Sequence, residues 1–222
     1  MMESLLIFLQ IVFINVLLSG DNALVIAMAS QHLPPRQRQK AIVWGSAAAV
    51  ILRCALTLAA ITLLQVPYLQ AVGALLLLWI AVQLLRDAQQ GAGPHIRRAG
   101  SLQAAIRTIV AADLVMSLDN VLAIAAVAKG APVLMLLGIG LSIPMIVWGS
   151  QLLGALLRRY PILVFAGAGM LGHAAGSMLV NDSAAVRALH LTPVAAEALP
   201  VLAVPLVIVL ALLPRFRRRQ LS

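Results

Sequence analysis

Seven apolar segments, each long enough to cross a bilayer as a helix, alternate along the chain with short polar stretches. They fall at 4–30, 40–64, 67–86, 105–128, 132–157, 161–181 and 193–213. A spanning helix takes ~20 mostly apolar residues, and in hydrocarbon only helices and closed barrels satisfy every backbone polar group. The polar breaks have their own chemistry. Residues 32–40 (HLPPRQRQK) contain a Pro-Pro breaker, residues 87–103 form a Gly-, Pro- and Gln-rich loop, and 182–192 is a shorter polar stretch. The pattern predicts an all-α membrane protein with seven transmembrane helices. Residues 1–222 form a single polytopic domain, ending in a basic tail at 214–222.

Composition removes the soluble alternative. The 222 residues are 62% hydrophobic and 10% charged, with a mean hydropathy of +1.01, against roughly 45–50% and about 25% in a soluble domain. Cys54, the only cysteine, has no disulfide partner within the chain. The net charge of +9 would point to nucleic acid in a soluble protein. Here the basic residues sit in short clusters between apolar runs, without aromatic residues interleaved for base stacking, so nucleic acid is excluded as a partner and the lipid bilayer takes its place. With alternate loops assigned to one side, Arg36, Arg38, Lys40, Arg86, Arg97, Arg98, Arg107, Arg158, Arg159, Arg215, Arg217, Arg218 and Arg219 fall together. Lys129 and Arg187 fall opposite, and Arg53 lies within a span. Positive charge concentrates on the cytoplasmic side, so the expected protein is multi-pass in a cytoplasmic (inner) membrane, N-terminus outside and C-terminus cytoplasmic. A cleaved signal peptide ending at Ala27-Met28-Ala29 is the competing reading of the first segment. Glu3, the absence of a basic residue before the apolar stretch and the interruption at Asp21-Asn22 weigh against it.

The chain repeats itself. Residues 13–29 (FINVLLSGDNALVIAMA) match residues 111–127 (AADLVMSLDNVLAIAAV), with Ser19, Asp21 and Asn22 aligned to Ser117, Asp119 and Asn120 at an offset of 98. Repeat one covers about 4–86 and repeat two about 105–181, followed by a seventh helix at 193–213. Three spans per unit, an odd number, make the copies cross the membrane in opposite directions. This is the 3+3 inverted-topology pattern that places a substrate site near the midplane.

Asp21, Asp113 and Asp119 lie inside apolar segments, where each carboxylate costs ~2.5–3.5 kcal/mol at a helix centre. Such groups are functional candidates by default. Asp113 and Ser117 are four apart and share a helix face, as do Asn15 and Ser19. Asp113 and Asp119 are six apart, about 120° round a regular helix. For both to reach one site, the helix is expected to unwind near Ser117-Leu118. Carboxylates, amide and hydroxyl oxygens and freed carbonyls would then make an all-oxygen site, which suits Mg²⁺, Ca²⁺ or Mn²⁺ rather than Zn or Cu. The expected metal-site residues are Asp21, Asn22, Asp113, Asp119 and Asn120, supported by Asn15, Ser19, Ser117 and Arg53. The structural alternative is that Asp21 and Asp119 cap broken helices or pair with Arg53.

Other features rank below these. His173 lies in a small-residue stripe (Ala168, Gly172, Gly176) that reads as close helix packing, with the imidazole hydrogen-bonded inside it. Pro144 is expected to kink the fifth span. WGS occurs at Trp44–Ser46 and at Trp148–Ser150 with an offset of 104, out of register with the repeat.

The stretches NVLLSGDNALVIAMA, LPPRQRQKAIVWGSAAAVILR, PYLQAVGALLLLWIAVQLL, DLVMSLDNVLAIA and LSIPMIVWGSQLL together resemble the TerC family of integral membrane proteins, its YjbE-like metal-transport subgroup, within the wider LysE-type transporter superfamily. The resemblance runs over roughly residues 5–180. It implies a seven-helix membrane protein that handles divalent cations, most often by manganese efflux, or is associated with tellurium resistance. The family's S-x-D-N motifs map onto Ser19, Asp21 and Asn22, and onto Ser117, Asp119 and Asn120. Asp113 matches the upstream acidic position, where the first copy has Asn15.

The expected function is secondary transport of a divalent cation, Mn²⁺ favoured and Ca²⁺ or Mg²⁺ the other candidates, with no prosthetic group. Protons are a candidate coupling partner. Two other readings stay open: export of an amino acid or small solute, recognised by Arg53, and a membrane partner or chaperone that delivers metal to other proteins or assists them. No Walker A, H-E-x-x-H or G-x-S-x-G motif occurs, so no enzyme is expected.

Overall fold

The computed structural model describes residues 20–59, 66–90, 101–128 and 132–219. Among them the regular secondary structure is entirely helical: α1 (Gly20–Ser30), α2 (Pro35–Leu58), α3 (Leu69–Gln90), α4 (Leu102–Ala128), α5 (Pro132–Arg159), α6 (Ile162–Asn181), α7 (Ser183–Ala188) and α8 (Pro193–Arg219). Five segments, Pro35–Thr57, Leu69–Gln89, Ile139–Arg159, Ile162–Asn181 and Pro193–Leu213, are long and apolar enough to cross a membrane. The other two expected spans correspond to α1, described for 11 residues, and to the 27-residue α4.

All three expected breaks are shorter than the sequence pattern implied, the loop at 87–103 because α3 runs to Gln90 and α4 begins at Leu102. The loop at 32–40 gives way to helix at Pro35: a proline at the first helical position has the right φ and lacks only an N–H that would go unpaired anyway. The expected polar stretch at 182–192 contains α7, a single short helix whose N-cap is Asp182.

The helices group into two compact units. In the first, α1, α2, α4 and α5 contribute one isoleucine each, Ile26, Ile42, Ile109 and Ile146, to a common apolar cluster. A second cluster of Leu33, Ala41 and Ala105 closes one end of the same bundle. Gly45 allows α2 close to α4, since a Cβ there would lie 2.9 Å from the Ile109 Cδ1.

The second unit holds α3, α6, α7 and α8. Its seam is the small-residue stripe of α6, which packs against α8. A Cβ on Gly172 would come within 2.8 Å of the Ala203 carbonyl, and one on Gly176 within 2.5 Å of the Pro200 Cα. In lipid no hydrophobic force draws apolar helices together, so van der Waals contact between closely approaching backbones has to do it. Asp182 ties this unit at one end. One of its oxygens caps α7 by accepting from the Ala184 and Ala185 N–H groups, and the other accepts from the Ala71 N–H of α3 at 3.1 Å. At the other end the Arg86 Nη2 donates to the Leu210 carbonyl of α8 at 2.6 Å. Trp79, Val72 and Leu75 on α3 and Val201 and Leu202 on α8 remain exposed, as expected of faces solvated by acyl chains.

Candidate functional site

The first unit encloses a charged cluster in an otherwise apolar bundle. Arg53 of α2 is fully buried and forms an ion pair with Asp113 of α4 through its Nη2 and the Asp113 Oδ1. Its Nε donates to the Ser117 Oγ at 3.0 Å, and that hydroxyl donates in turn to the Asp113 Oδ2 at 3.2 Å. The i, i+4 spacing puts Asp113 and Ser117 on one face of α4, so guanidinium, carboxylate and hydroxyl close a ring in which each oxygen of Asp113 accepts from a protein donor. One turn beyond Arg53, the Thr57 Oγ1 donates to the Arg53 carbonyl at 2.7 Å. Burial of this kind is tolerated only when the charges are paired and hydrogen-bonded together, because either charge alone carries a large desolvation cost.

Asp21 of α1 stands within electrostatic range of both Arg53 and Asp113. Its Oδ1 accepts from the Asn22 backbone N–H at 2.8 Å, and Asn22 itself is buried. The packing of α1 on both α2 and α4 therefore gathers Asp21, Asn22, Arg53, Asp113 and Ser117 in one bundle. Asp119 and Asn120 occupy positions on the same α4, with their side chains outside the described residues; Asn15 and Ser19 also lie outside them.

The expected unwinding near Ser117-Leu118 does not occur: α4 runs unbroken from Leu102 to Ala128. The helical positions of Asp113 and Asp119 consequently stay about 120° apart around the axis. Among the described residues, no three His, Cys, Asp or Glu side chains gather closely enough to hold a metal ion.

The duplicated WGS motif has a structural counterpart. Trp44 and Trp148 are both exposed, whereas Ser46 and Ser150 are both buried. The glycines between them face other helices of the first unit: Gly45 of α2 meets Ile109 of α4, and Gly149 of α5 faces the Ala23 Cβ of α1 at 3.7 Å. His173 departs from its expected place. Gly172 and Gly176 carry the packing against α8 while His173 is exposed, in an apolar groove with Phe165, Met170, Val204 and Ile208.

Three structural polar residues were not singled out by the sequence. Asp182 ties α3 to α7, and Arg86 ties α3 to α8. Arg38, counted only as a topological charge, donates to the carbonyls of Ser30, Gln31 and Leu33, the last through Nη2 at 3.3 Å, and so closes the C-terminal end of α1. Nothing in local spacing marks them, because their partners are backbone groups chosen by the fold.

The model of the integral membrane protein TerC family matches residues 1–220 of the chain. The chain is similar to the Bacillus subtilis (strain 168) protein "Uncharacterized membrane protein YjbE", 47% identical over 180 residues, covering 81% of this chain and 82% of that one. It is also similar to two others from the same organism, "Uncharacterized membrane protein YceF" and "Uncharacterized membrane protein YkoY". The identities are 31% over 58% of this chain and 27% over 72% of it. The aligned parts span about half the length of those two, 53% and 51%. No solved structure matches.

Proposed function

This chain belongs to the TerC family of integral membrane proteins, and from that premise we propose that it is a secondary transporter of a divalent metal cation, with Mn²⁺ efflux its principal activity. The observation that carries this reading is that the Asp-Asn pairs of the two S-x-D-N motifs, Asp21-Asn22 and Asp119-Asn120, lie on α1 and α4, helices that pack against each other in one bundle. The cation is met there by oxygen ligands from Asp21, Asn22, Asp119 and Asn120, a hard donor set suited to Mn²⁺, Mg²⁺ or Ca²⁺.

A 3+3 inverted repeat with a seventh helix underlies this arrangement. Two features of the first unit support it. The unit takes the first and second helices of each repeat, α1 with α2 and α4 with α5. The WGS glycines then make reciprocal approaches, α2 onto α4 and α5 onto α1. Discontinuity of α4 is not part of the proposal. The protein sits in the cytoplasmic membrane with its N-terminus outside, as the distribution of Lys and Arg favours.

The amino-acid-exporter reading needs Arg53 to receive a substrate carboxylate, and Asp113 already holds that guanidinium. The metal reading is therefore preferred. It is tested by reconstituting the purified protein into liposomes and following Mn²⁺ flux with a trapped dye. Flux is expected for wild type and lost by at least about tenfold in Asp21→Ala and in Asp119→Ala, since a ligand carboxylate to a divalent ion is worth more than one factor of ten at low effective dielectric. Wild-type liposomes inert to Mn²⁺, Ca²⁺ and Mg²⁺ would refute it and favour a partner that acts on other membrane proteins.

A further inference from the structure

We infer that Arg53 fixes the valence of the transported ion, acting as a tethered cation that removes Asp113 from the ligand set and leaves the site two negative charges to be matched. The inference rests on the transporter reading above and specifies its substrate class. It starts from the geometry of Asp113. Both carboxylate oxygens accept from protein donors, Oδ1 from the Arg53 Nη2 and Oδ2 from the Ser117 Oγ, and Ser117 is locked in turn by the Arg53 Nε. A metal ion reaching Asp113 would compete with the fully buried Arg53 guanidinium, and taking its counter-ion would leave that buried charge uncompensated. Asp113 is thus the counter-ion of Arg53 rather than a ligand.

The three carboxylates of the repeated segments, Asp21, Asp113 and Asp119, stand against one guanidinium, Arg53, so the sum is −3 + 1 = −2. Net charge in the membrane interior is costly. A dication closes the sum to zero, a monovalent ion leaves −1, and a trivalent ion overshoots to +1. Without Arg53 the same bundle would carry −3 and favour an ion of higher charge. Arg53 acts through Asp113, its ion-pair partner, so it is a positioning residue whose effect is read in selectivity as well as in rate.

The test uses La³⁺ and Ca²⁺, ions of similar radius that differ in charge, as competitors of Mn²⁺ flux in proteoliposomes. The readout is the ratio of their half-inhibiting concentrations, La³⁺ to Ca²⁺. One additional unit charge near the site is expected to move that ratio by about tenfold or more. In Arg53→Gln the ratio falls by that factor; in Asp113→Asn, which adds a net positive charge, it rises. Arg53→Lys and the double variant Arg53→Gln/Asp113→Asn keep the net charge and hold the ratio within about threefold of wild type, by the same reasoning.

A purely structural pair would alter the yield of folded protein and the maximal flux while leaving the ratio where it was. An unmoved ratio in Arg53→Gln overturns the inference, as does a shifted one in the double variant. Should Arg53→Gln fail to fold, Asp113→Asn carries the test with the opposite sign, and an unmoved ratio there overturns it equally. Absence of any wild-type flux sinks the transporter reading itself, whereas flux with unmoved ratios sinks only the role of Arg53.

Discussion

Asp182 shows how much one carboxylate can organise when backbone donors converge on it. Burial pushes its pKa up, but the N–H groups of Ala185, Ala71, Ala184 and Tyr68 outweigh burial and hold the carboxyl below its ordinary 3.8. The Tyr68 backbone it secures sits at φ 62, a left-handed conformation uncommon for a bulky residue, so the carboxylate helps fix a strained entry into α3. The stability that follows from a depressed carboxyl pKa is fully present above the ordinary value and is lost as pH falls through the folded one. Asp182→Ala is expected to cost about 1–2 kcal/mol at neutral pH, the range of an N-cap deletion. Its melting-temperature deficit in detergent, measured by dye-monitored unfolding, is expected to shrink as pH drops below about 4. A deficit independent of pH would mean that the ionised carboxyl is not what holds α3 and α7. No sequence pattern exposed this role, since Ala71 lies 111 positions from Asp182. The Asp113–Ser117 pair, four residues apart on one helix, was legible at once, and only its partner Arg53, 60 positions from Asp113, awaited the fold.

Whole helices obey stronger constraints than their residue preferences suggest, and α4 is the clear instance. Ser, Asp and Asn each disfavour helix interiors by only ~0.5–0.7 kcal/mol, whereas every backbone group released in hydrocarbon costs several kcal/mol. S-x-D-N therefore does not break α4, although the same residues in water would be good capping candidates. Propensity alone favours a break at S-x-D-N, and the hydrocarbon solvent overrides it. The stripe Ala168, Gly172 and Gly176 was legible because close packing in lipid demands small residues at regular helical spacing, and α8 does lie against it. A methyl at Gly176 would meet Pro200 backbone atoms at 2.5 and 3.0 Å, backbone that no side-chain rotation can clear, whereas nothing lies within 4 Å of the same position on Gly140. Gly176→Ala is expected to destabilise the α6–α8 pair by about 1–3 kcal/mol, the cost of overpacking, and Gly140→Ala to be neutral or slightly stabilising. Thermal unfolding of the two variants in the same detergent checks both, and equal melting temperatures would contradict the packing.

At the scale of the whole molecule, the chain must thread a bilayer in one direction, and charge rather than apolar content decides which. Thirteen Lys and Arg residues fall on one side of the predicted seven-span layout and two on the other, with Arg53 buried between helices. Removing or adding one span would scramble that alternation, so orientation and span number stand or fall together. Hydropathy reads off helices one at a time; the charge count couples the first loop to the last, and the expected topology rests on that coupling. The duplicated motif has the same global character, because α1 and α4 can run in opposite directions only if an odd number of spans, three in the predicted layout, separates their starts. Single cysteines placed in a Cys54→Ala background separate the layouts. Labelling of intact cells with a membrane-impermeant maleimide is expected at Lys129→Cys and Arg187→Cys, and at Arg36→Cys and Arg97→Cys only after permeabilisation. Labelling of Lys129→Cys and Arg97→Cys from the same side would remove the α4 crossing between them. The two S-x-D-N motifs would then no longer belong to oppositely directed helices, and the inverted repeat on which the transport proposal builds would have to be abandoned.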